Sequence, residues 1–415
     1  MFRLDSYAKK IIVDSFKEDK FIKNPTCYVY DLSKIQKNLD TLKKNCPSQI
    51  SLYYAMKANN NPLIMDFICK DDFVSGIEIA SSGELSQALE YVKGKNIIFT
   101  GPGKTDFELE KAVTKKIRFI NIESVTEAIR INNIAKEHNI NNVNVLVRIN
   151  LNYSISDATE HMSGRSTKMG IDEKDTIESI KIIDELEHVK VKGIHVFAAS
   201  GVLSYESLIK SNKYIFDLVE KLEAKNVDVS VIDFGGGLGI DYTDKNRRFN
   251  VRKYYLELAK LIRRYKFQKK EIIMELGTYV VGNSGYYVSK IIDIKQVKGK
   301  KHIILAGGVN HMGLPLEMRR KHPVSVIHMK EKKLYKGQPF ISKEVVDISG
   351  PLCMVTDILC WDEYIDSANI GDIIVFSQAG AYCLQEGMHG FLSHMLPNEV
   401  LINEKRKVIW KTDLK

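Results

Sequence analysis

Hydrophobic positions fall into two regimes along the chain. From about Thr26 to Met274, short β-branched or aromatic runs alternate with segments whose apolar residues recur every three or four positions. The runs predict strands at Cys27-Tyr30, Ser51-Ala55, Gly76-Ala80, Asn96-Thr100, Arg118-Ile122, Val143-Ile149, Lys192-Phe197, Val229-Phe234 and Glu271-Met274. Between them, Gly83-Val92, Asp106-Val113, Ser124-His138, Asp175-Glu187 and Tyr205-Glu223 predict amphipathic helices. Such alternation predicts a parallel sheet, and about eight units in about 250 residues fit a closed (β/α)8 barrel. An open doubly wound sheet is the competing architecture, but the first strand carries no G-x-G-x-x-G.

Beyond Met274 the pattern changes. Val280-Val297, Lys301-Ala306, Val345-Ile348 and Ile373-Phe376 read as strands separated by turns, with few helices. The expected division is an N-terminal segment 1–25 packing on the C-terminal domain, a barrel over 26–274, and a mainly β domain over 275–415. In a barrel, chemistry belongs at the C-terminal ends of the strands. Lys57, Ser200, Gly235 to Gly237 and Glu275 all lie at or just after such ends.

Composition narrows the class. The 415 residues are 44% hydrophobic and 27% charged, ordinary for a soluble globular protein. No apolar run is long enough for a transmembrane helix, and Met1 to Lys10 lacks the apolar core of a secretory signal. Six cysteines (Cys27, Cys46, Cys69, Cys353, Cys360, Cys383) form no C-x-x-C pair, which fits a reducing cytoplasm better than a disulfide framework. The net charge of +9 is dispersed, with short clusters at Arg263-Arg264, Lys269-Lys270 and Lys330 to Lys333. Without a basic stripe interleaved with aromatics, nucleic acid is not an expected partner; anionic substrates or an acidic protein are compatible.

The candidate chemistry starts with Lys57, in the run Tyr53-Tyr54-Ala55-Met56-Lys57-Ala58-Asn59. A desolvated lysine becomes a nucleophilic amine able to form a Schiff base with an aldehyde cofactor; the alternative is a lysine snorkelling to solvent. Gly235-Gly236-Gly237 can form a backbone nest for phosphate, or simply a tight turn. Glu275 can bind a pyridinium nitrogen or serve as an ordinary ion-paired carboxylate. Tyr382 can donate to phosphate or substrate, and Cys353 and Asp357 can act as a catalytic thiol and a substrate carboxylate, although packing roles are common for all three types. Arg165 can bind a carboxylate or sit exposed on its loop. His195 reads as a hydrogen-bonded core histidine. His389 and His394 lack H-E-x-x-H spacing, so no metal is expected.

Six pieces occur together in order: Tyr54-Ala55-Met56-Lys57-Ala58-Asn59, Ser82-Gly83-Glu84-Leu85, Gly235-Gly236-Gly237-Leu238-Gly239, Glu275-Leu276-Gly277 with Val281-Gly282, Gly350-Pro351-Leu352-Cys353 and Ala379-Gly380-Ala381-Tyr382. Jointly they resemble the fold-type III pyridoxal-phosphate decarboxylases, the diaminopimelate and ornithine decarboxylase family with an alanine-racemase-like barrel. The resemblance implies that pyridoxal 5'-phosphate is held by Lys57 through its aldehyde and by Glu275 at the ring nitrogen. Ser200, Gly237 and Tyr382 would hold the phosphate, with Gly235, Gly236 and Gly277 shaping the site. Cys353 and Asp357 would reach the substrate from the second subunit of a homodimer.

Three positions depart from the family pattern. Thr278 stands where an arginine usually helps hold phosphate, Phe197 where a histidine usually stacks on the ring, and Met354 where diaminopimelate decarboxylases have a glutamate. His195-Val196-Phe197-Ala198, Gly350-Pro351-Leu352-Cys353 and Phe391-Leu392-Ser393-His394 are similar to siderophore-type and carrier-protein-linked decarboxylases of specialised biosynthesis. The expected activity is decarboxylation of an amino acid or of an amino acid joined to citrate or to a carrier protein. Diaminopimelate decarboxylation, racemisation on the same scaffold, and cofactor binding without turnover are the alternatives.

Overall fold

A computed structural model describes residues 4–156, 159–243, 247–315, 320–329, 335–403, 405 and 407–411. The Lys330 to Lys333 cluster lies outside them. The chain forms two compact units: Leu39–Ile240 with Arg248–Val280, and Met1–Asn38 with Asp241–Arg247 and Val281–Lys415.

The first unit is the (β/α)8 barrel. Its strands are Ile50–Ala55, Val74–Ile79, Ile97–Phe99, Phe119–Ile122, Val143–Asn150, Val189–His195, Val231–Asp233 and Glu271–Leu276. Each pairs in parallel with the next, and Glu271–Leu276 pairs with Ile50–Ala55 to close the ring. Helices cover the outside, so both faces of the strands are buried and the strands read as nearly continuous apolar runs. Tyr53, Ile98, Phe119, Leu146, Val231 and Ile273 form one apolar cluster among these strands. Near the N-terminal ends, Arg118 donates to the Tyr53 hydroxyl at 2.9 Å and pairs with Glu271 at 2.6 Å. At the other ends, Ser81, Thr105, Ser124, Ser204 and Asn250 accept backbone N–H bonds and start the covering helices. These caps satisfy first-turn donors and fix where each rim loop stops.

The second unit is built on Gly285–Val297, antiparallel to Thr26–Asp31, Lys300–Leu305 and Ile373–Ser377. Thr26–Asp31, read from sequence as the first strand of a barrel over 26–274, pairs here instead, and also runs parallel to Asn398–Ile402. Apolar composition reports burial but not the partner, so it gave no warning. Ile11, Ile12 and Phe21 of the N-terminal helices pack against Val29, Val288, Val375 and Val400 of this sheet.

Gly193 exposes how tightly the barrel strands pack. A Cβ there would collide with the Val231 carbonyl oxygen across the strand pair. Gly193→Ala is therefore expected to cost about 3 kcal/mol or more. Urea denaturation of the cofactor-free protein checks this, and a loss below about 1 kcal/mol would contradict the packing.

Candidate active site

The strand Ile50–Ala55 runs into a tight 3-10 turn, Met56–Ala58. Met56 and Ala58 are buried on either side of Lys57 and pin the turn. The Tyr54 hydroxyl donates to the Asn59 carbonyl at 2.8 Å. Gly277 closes over the same turn: a Cβ there would lie 2.7 Å from the Ala58 Cβ. Lys57 Nζ donates to both oxygens of Glu78, at 2.7 and 2.8 Å. Glu78 is fully buried while the Lys57 side chain is 37% exposed. Lys57 is thus neither dry nor simply snorkelling; it is one half of an ion pair at the edge of the interior. Glu78 was missed by sequence reasoning, although it is the one charge in the run Gly76-Ala80. Burial pushes its carboxyl up, to about 8, against the pull of Lys57 and helped by Glu275.

Glu275 is the penultimate residue of the strand beside that of Lys57 and is buried. Its Oε1 accepts from Thr100 Oγ1 at 3.4 Å and Asn121 Nδ2 at 3.3 Å. Its Oε2 lies 3.5 Å from His195 Nε2. Burial opposes its ionisation, but His195, Lys57 and Asp233 together outweigh burial and hold its pKa at about 2. Asp233 shows the opposite outcome: burial, reinforced by Glu275, pushes it well above the carboxylate range. Burial pushes the His195 imidazole down, against the pull of Glu275. His195 lies in the core, as read from the sequence, and faces the Glu275 carboxylate.

Gly235, Gly236 and Gly237 form the turn after Val231–Asp233. Gly235 (φ 60°) and Gly237 (φ 112°) occupy conformations that favour glycine, and a side chain at Gly236 would strike the Glu275 carbonyl oxygen. The Glu275 N–H donates to the Gly235 carbonyl at 2.7 Å, locking the glutamate to the turn. The Val202 N–H donates to the Gly237 carbonyl at 2.9 Å, which ties in the Ser200 segment. The Phe197 ring lies against the turn, its Cδ2 2.9 Å from where a Gly235 Cβ would be. Thr278 begins the short helix Thr278–Val281 and is half-buried. The barrel unit therefore gathers Lys57, Phe197, Ser200, Gly235, Gly236, Gly237, Glu275, Gly277 and Thr278 at strand ends or in the loops that follow. Buried ion pairs Glu123–Arg148, at 2.6 Å, and Lys104–Glu127, at 2.7 Å, brace the same end and were not anticipated.

Arg165 is exposed, and its carbonyl accepts from Asn150 Nδ2 at 3.1 Å. Cys353, Asp357 and Tyr382 belong to the other unit. Cys353 is exposed. Asp357, expected to face substrate, is buried, and its two oxygens accept the Val309 and Leu352 N–H groups at 2.8 and 2.7 Å. It organises the Cys353 loop from below. Tyr382 has a positive φ of 63° in the loop after Ile373–Ser377.

An amine beside a buried carboxylate, a second carboxylate held as an anion, and a glycine turn against the second suit a ligand with an aldehyde, a basic ring nitrogen and a phosphate. The Gly235 to Gly237 turn, where a Cβ at Gly236 would strike the Glu275 carbonyl oxygen, leaves a bare backbone cradle that fits the phosphate of such a ligand. Barrel and donor set suit an enzyme that holds such a cofactor through a lysine.

Similarity to known proteins narrows the class further. Residues 32–282 match the family described as pyridoxal-dependent decarboxylase, pyridoxal binding domain, and the chain belongs to that family. It is 31% identical over 400 residues to the 2-[(L-alanin-3-ylcarbamoyl)methyl]-2-hydroxybutanedioate decarboxylase of Staphylococcus aureus, covering 96% of this chain and 99% of that protein. It is 30% identical to the L-glutamyl-[BtrI acyl-carrier protein] decarboxylase of Niallia circulans, covering 90% of this chain and 88% of that protein. Among solved structures, diaminopimelate decarboxylase from Methanocaldococcus jannaschii superposes with a TM-score of 0.82 at 26% identity, over 96% of this chain and 91% of that one. The protein is a pyridoxal-phosphate-dependent decarboxylase. Among the described residues no helix is long and apolar enough to cross a membrane.

The raised carboxyl of Glu78 has a pH signature. The folded protein binds its proton more tightly than the unfolded chain does. The associated stability is complete below the ordinary value of 4.5 and is lost as the pH rises through about 8. Glu78→Gln should flatten the decline in stability of the cofactor-free protein across that window. Thermal unfolding at a series of pH values checks it; an unchanged slope would contradict the assignment.

Proposed function

We propose that the enzyme decarboxylates an amino acid borne on a larger acidic molecule, a citrate conjugate or a carrier protein, in specialised metabolism. The observation that carries this reading is the near full-length likeness to the S. aureus and N. circulans decarboxylases, whose names specify such conjugates. Met354, apolar beside Cys353, supports it, because a distal amino acid centre would need polar partners there.

In this reading Lys57 holds the cofactor aldehyde and Glu275 the ring nitrogen. Ser200, the Gly235 to Gly237 turn, Thr278 and Tyr382 hold the phosphate, with hydroxyls at Thr278 and Tyr382 in place of a bidentate cation. Phe197 supplies an apolar face for the ring, and Gly277 keeps the Lys57 turn close to Glu275. Pyridoxal phosphate, when bound, supplies an aldehyde that captures the substrate amine and an electron sink for the pair left when CO₂ departs. Glu78, 2.7 Å from Lys57 Nζ, is placed to accept the lysine's proton so that the amine can react. The Cys353 thiol gives a proton to the carbon that has lost CO₂, and Asp357 fixes the thiol's loop. Arg165, on an exposed loop, binds a carboxylate of the conjugate.

The enzyme is read as a cytoplasmic homodimer in which a second copy supplies the thiol. Exposed Cys353 and the apolar side chains of Val355 (93% exposed), Phe391, Leu392, Met395 and Leu396 in the same unit support self-association.

Two experiments test this reading. CO₂ release from a citrate-linked amino acid, a carrier-linked glutamate and meso-diaminopimelate should favour one of the conjugates by at least about tenfold in kcat/KM. Preference for diaminopimelate would overturn the substrate class. Lys57→Ala and Cys353→Ala should each abolish most activity, and mixing the two should restore part of it. No recovery after subunit exchange would overturn the shared site.

A further inference from the structure

Two buried groups beside Glu275, His195 and Asp233, have no task in the chemistry above. His195, Asp233 and Glu275 come from three adjacent parallel strands, and one ligand atom from each lies within 4.8 Å of the others. His195 and Asp233 are fully buried and Glu275 is 7% exposed. Asp233 Oδ1 accepts the Gly235 N–H at 2.8 Å, and its carboxyl lies beside that of Glu275. His195 Nε2 stands 3.5 Å from Glu275 Oε2, at the long limit of a hydrogen bond.

The surroundings restrict the charges that this cluster can hold. Arg148, in register with His195 on the neighbouring strand, is neutralised by Glu123 at 2.6 Å. Lys57 is engaged by Glu78. Thr100 and Asn121 offer only neutral donors, and both point to Glu275 Oε1. Two carboxyls this close in a dry site do not both ionise; one keeps a proton. The donors converge on Glu275, so Glu275 takes the charge. Glu275 then faces two groups able to donate: the His195 N–H, beside its Oε2, and the protonated carboxyl of Asp233.

We propose that His195 and Asp233 are positioning residues that keep Glu275 the single ionised carboxylate of this triad, so that it meets the ring nitrogen of the cofactor as an anion. The inference rests on the reading of Glu275 as the ring-nitrogen partner. The opposite displacements of Asp233 and Glu275 from the ordinary carboxylate range agree with it.

The test compares the affinity of the cofactor-free protein for pyridoxal phosphate with that for 1-deaza-pyridoxal phosphate, in which carbon replaces the ring nitrogen. Both present the same aldehyde and phosphate, so their ratio isolates the nitrogen. The wild type should favour pyridoxal phosphate, and His195→Leu should lose about tenfold or more of that preference with little change in affinity for the analogue. His195→Gln, which keeps an N–H donor, should retain most of it. Asp233→Asn, isosteric and permanently neutral, should keep the wild-type ratio, and it still decides the question should His195→Leu fail to fold. An unchanged ratio in His195→Leu, a parallel fall for both ligands, or a collapsed ratio in Asp233→Asn would overturn the proposal. Glu275→Gln separates the two levels. If it leaves the ratio intact, the ring-nitrogen reading fails; if it abolishes the ratio while His195→Leu does not, only the present inference fails.

Discussion

Closure of the barrel between its first and last strands is the constraint on which the site depends. Ile50–Ala55 and Glu271–Leu276 are far apart in sequence, yet pair in parallel with Glu275 opposite Tyr53 and Leu276 opposite Tyr54. That register brings the Lys57 turn against Gly277 and carries Glu275 to the same rim. Slipping the register by one residue would turn Glu275 to the other face of the sheet. The apolar layer of Tyr53, Ile98, Phe119, Leu146, Val231 and Ile273 fixes the register from below, so packing and chemistry are set by one arrangement.

The rim then concentrates charge that the interior tolerates poorly. Glu78, Asp233 and Glu275 are buried near one another, and Lys57 is the cation that pairs directly with one of them. Such clusters are costly to fold and persist at functional sites, where perturbed protonation is useful. Their different outcomes, one carboxyl held low and two pushed up, follow from which donors each can reach. The glycine turn contributes through its backbone: it orients Asp233 through the Gly235 N–H and Glu275 through the Gly235 carbonyl.

Much of this was legible in the sequence. The eight barrel strands stand out because parallel strands buried on both faces are apolar throughout, and Lys57, Gly235 to Gly237 and Glu275 stand out because they interrupt that pattern at strand ends. Thr26–Asp31 was misplaced because an apolar strand carries no label for its partner sheet. Glu78 was overlooked because a carboxylate in mid-strand looks like an ordinary polar position until its lysine is found across the strand pair. Asp357 looked like a substrate group, yet its carboxylate is occupied by two backbone amides that only the folded loop brings to it. Long-range pairing decides all three cases, and one-dimensional spacing does not contain it.

The proposed chemistry turns on Lys57, paired with Glu78, as the residue that would bind the cofactor aldehyde. Borohydride reduction of the holoenzyme followed by proteolysis and mass spectrometry reads this out at the residue itself. The mass of a phosphopyridoxyl group is expected on the peptide containing Lys57 and on no other lysine. Labelling of a different lysine, or none at Lys57 in fully loaded enzyme, would refute the assignment.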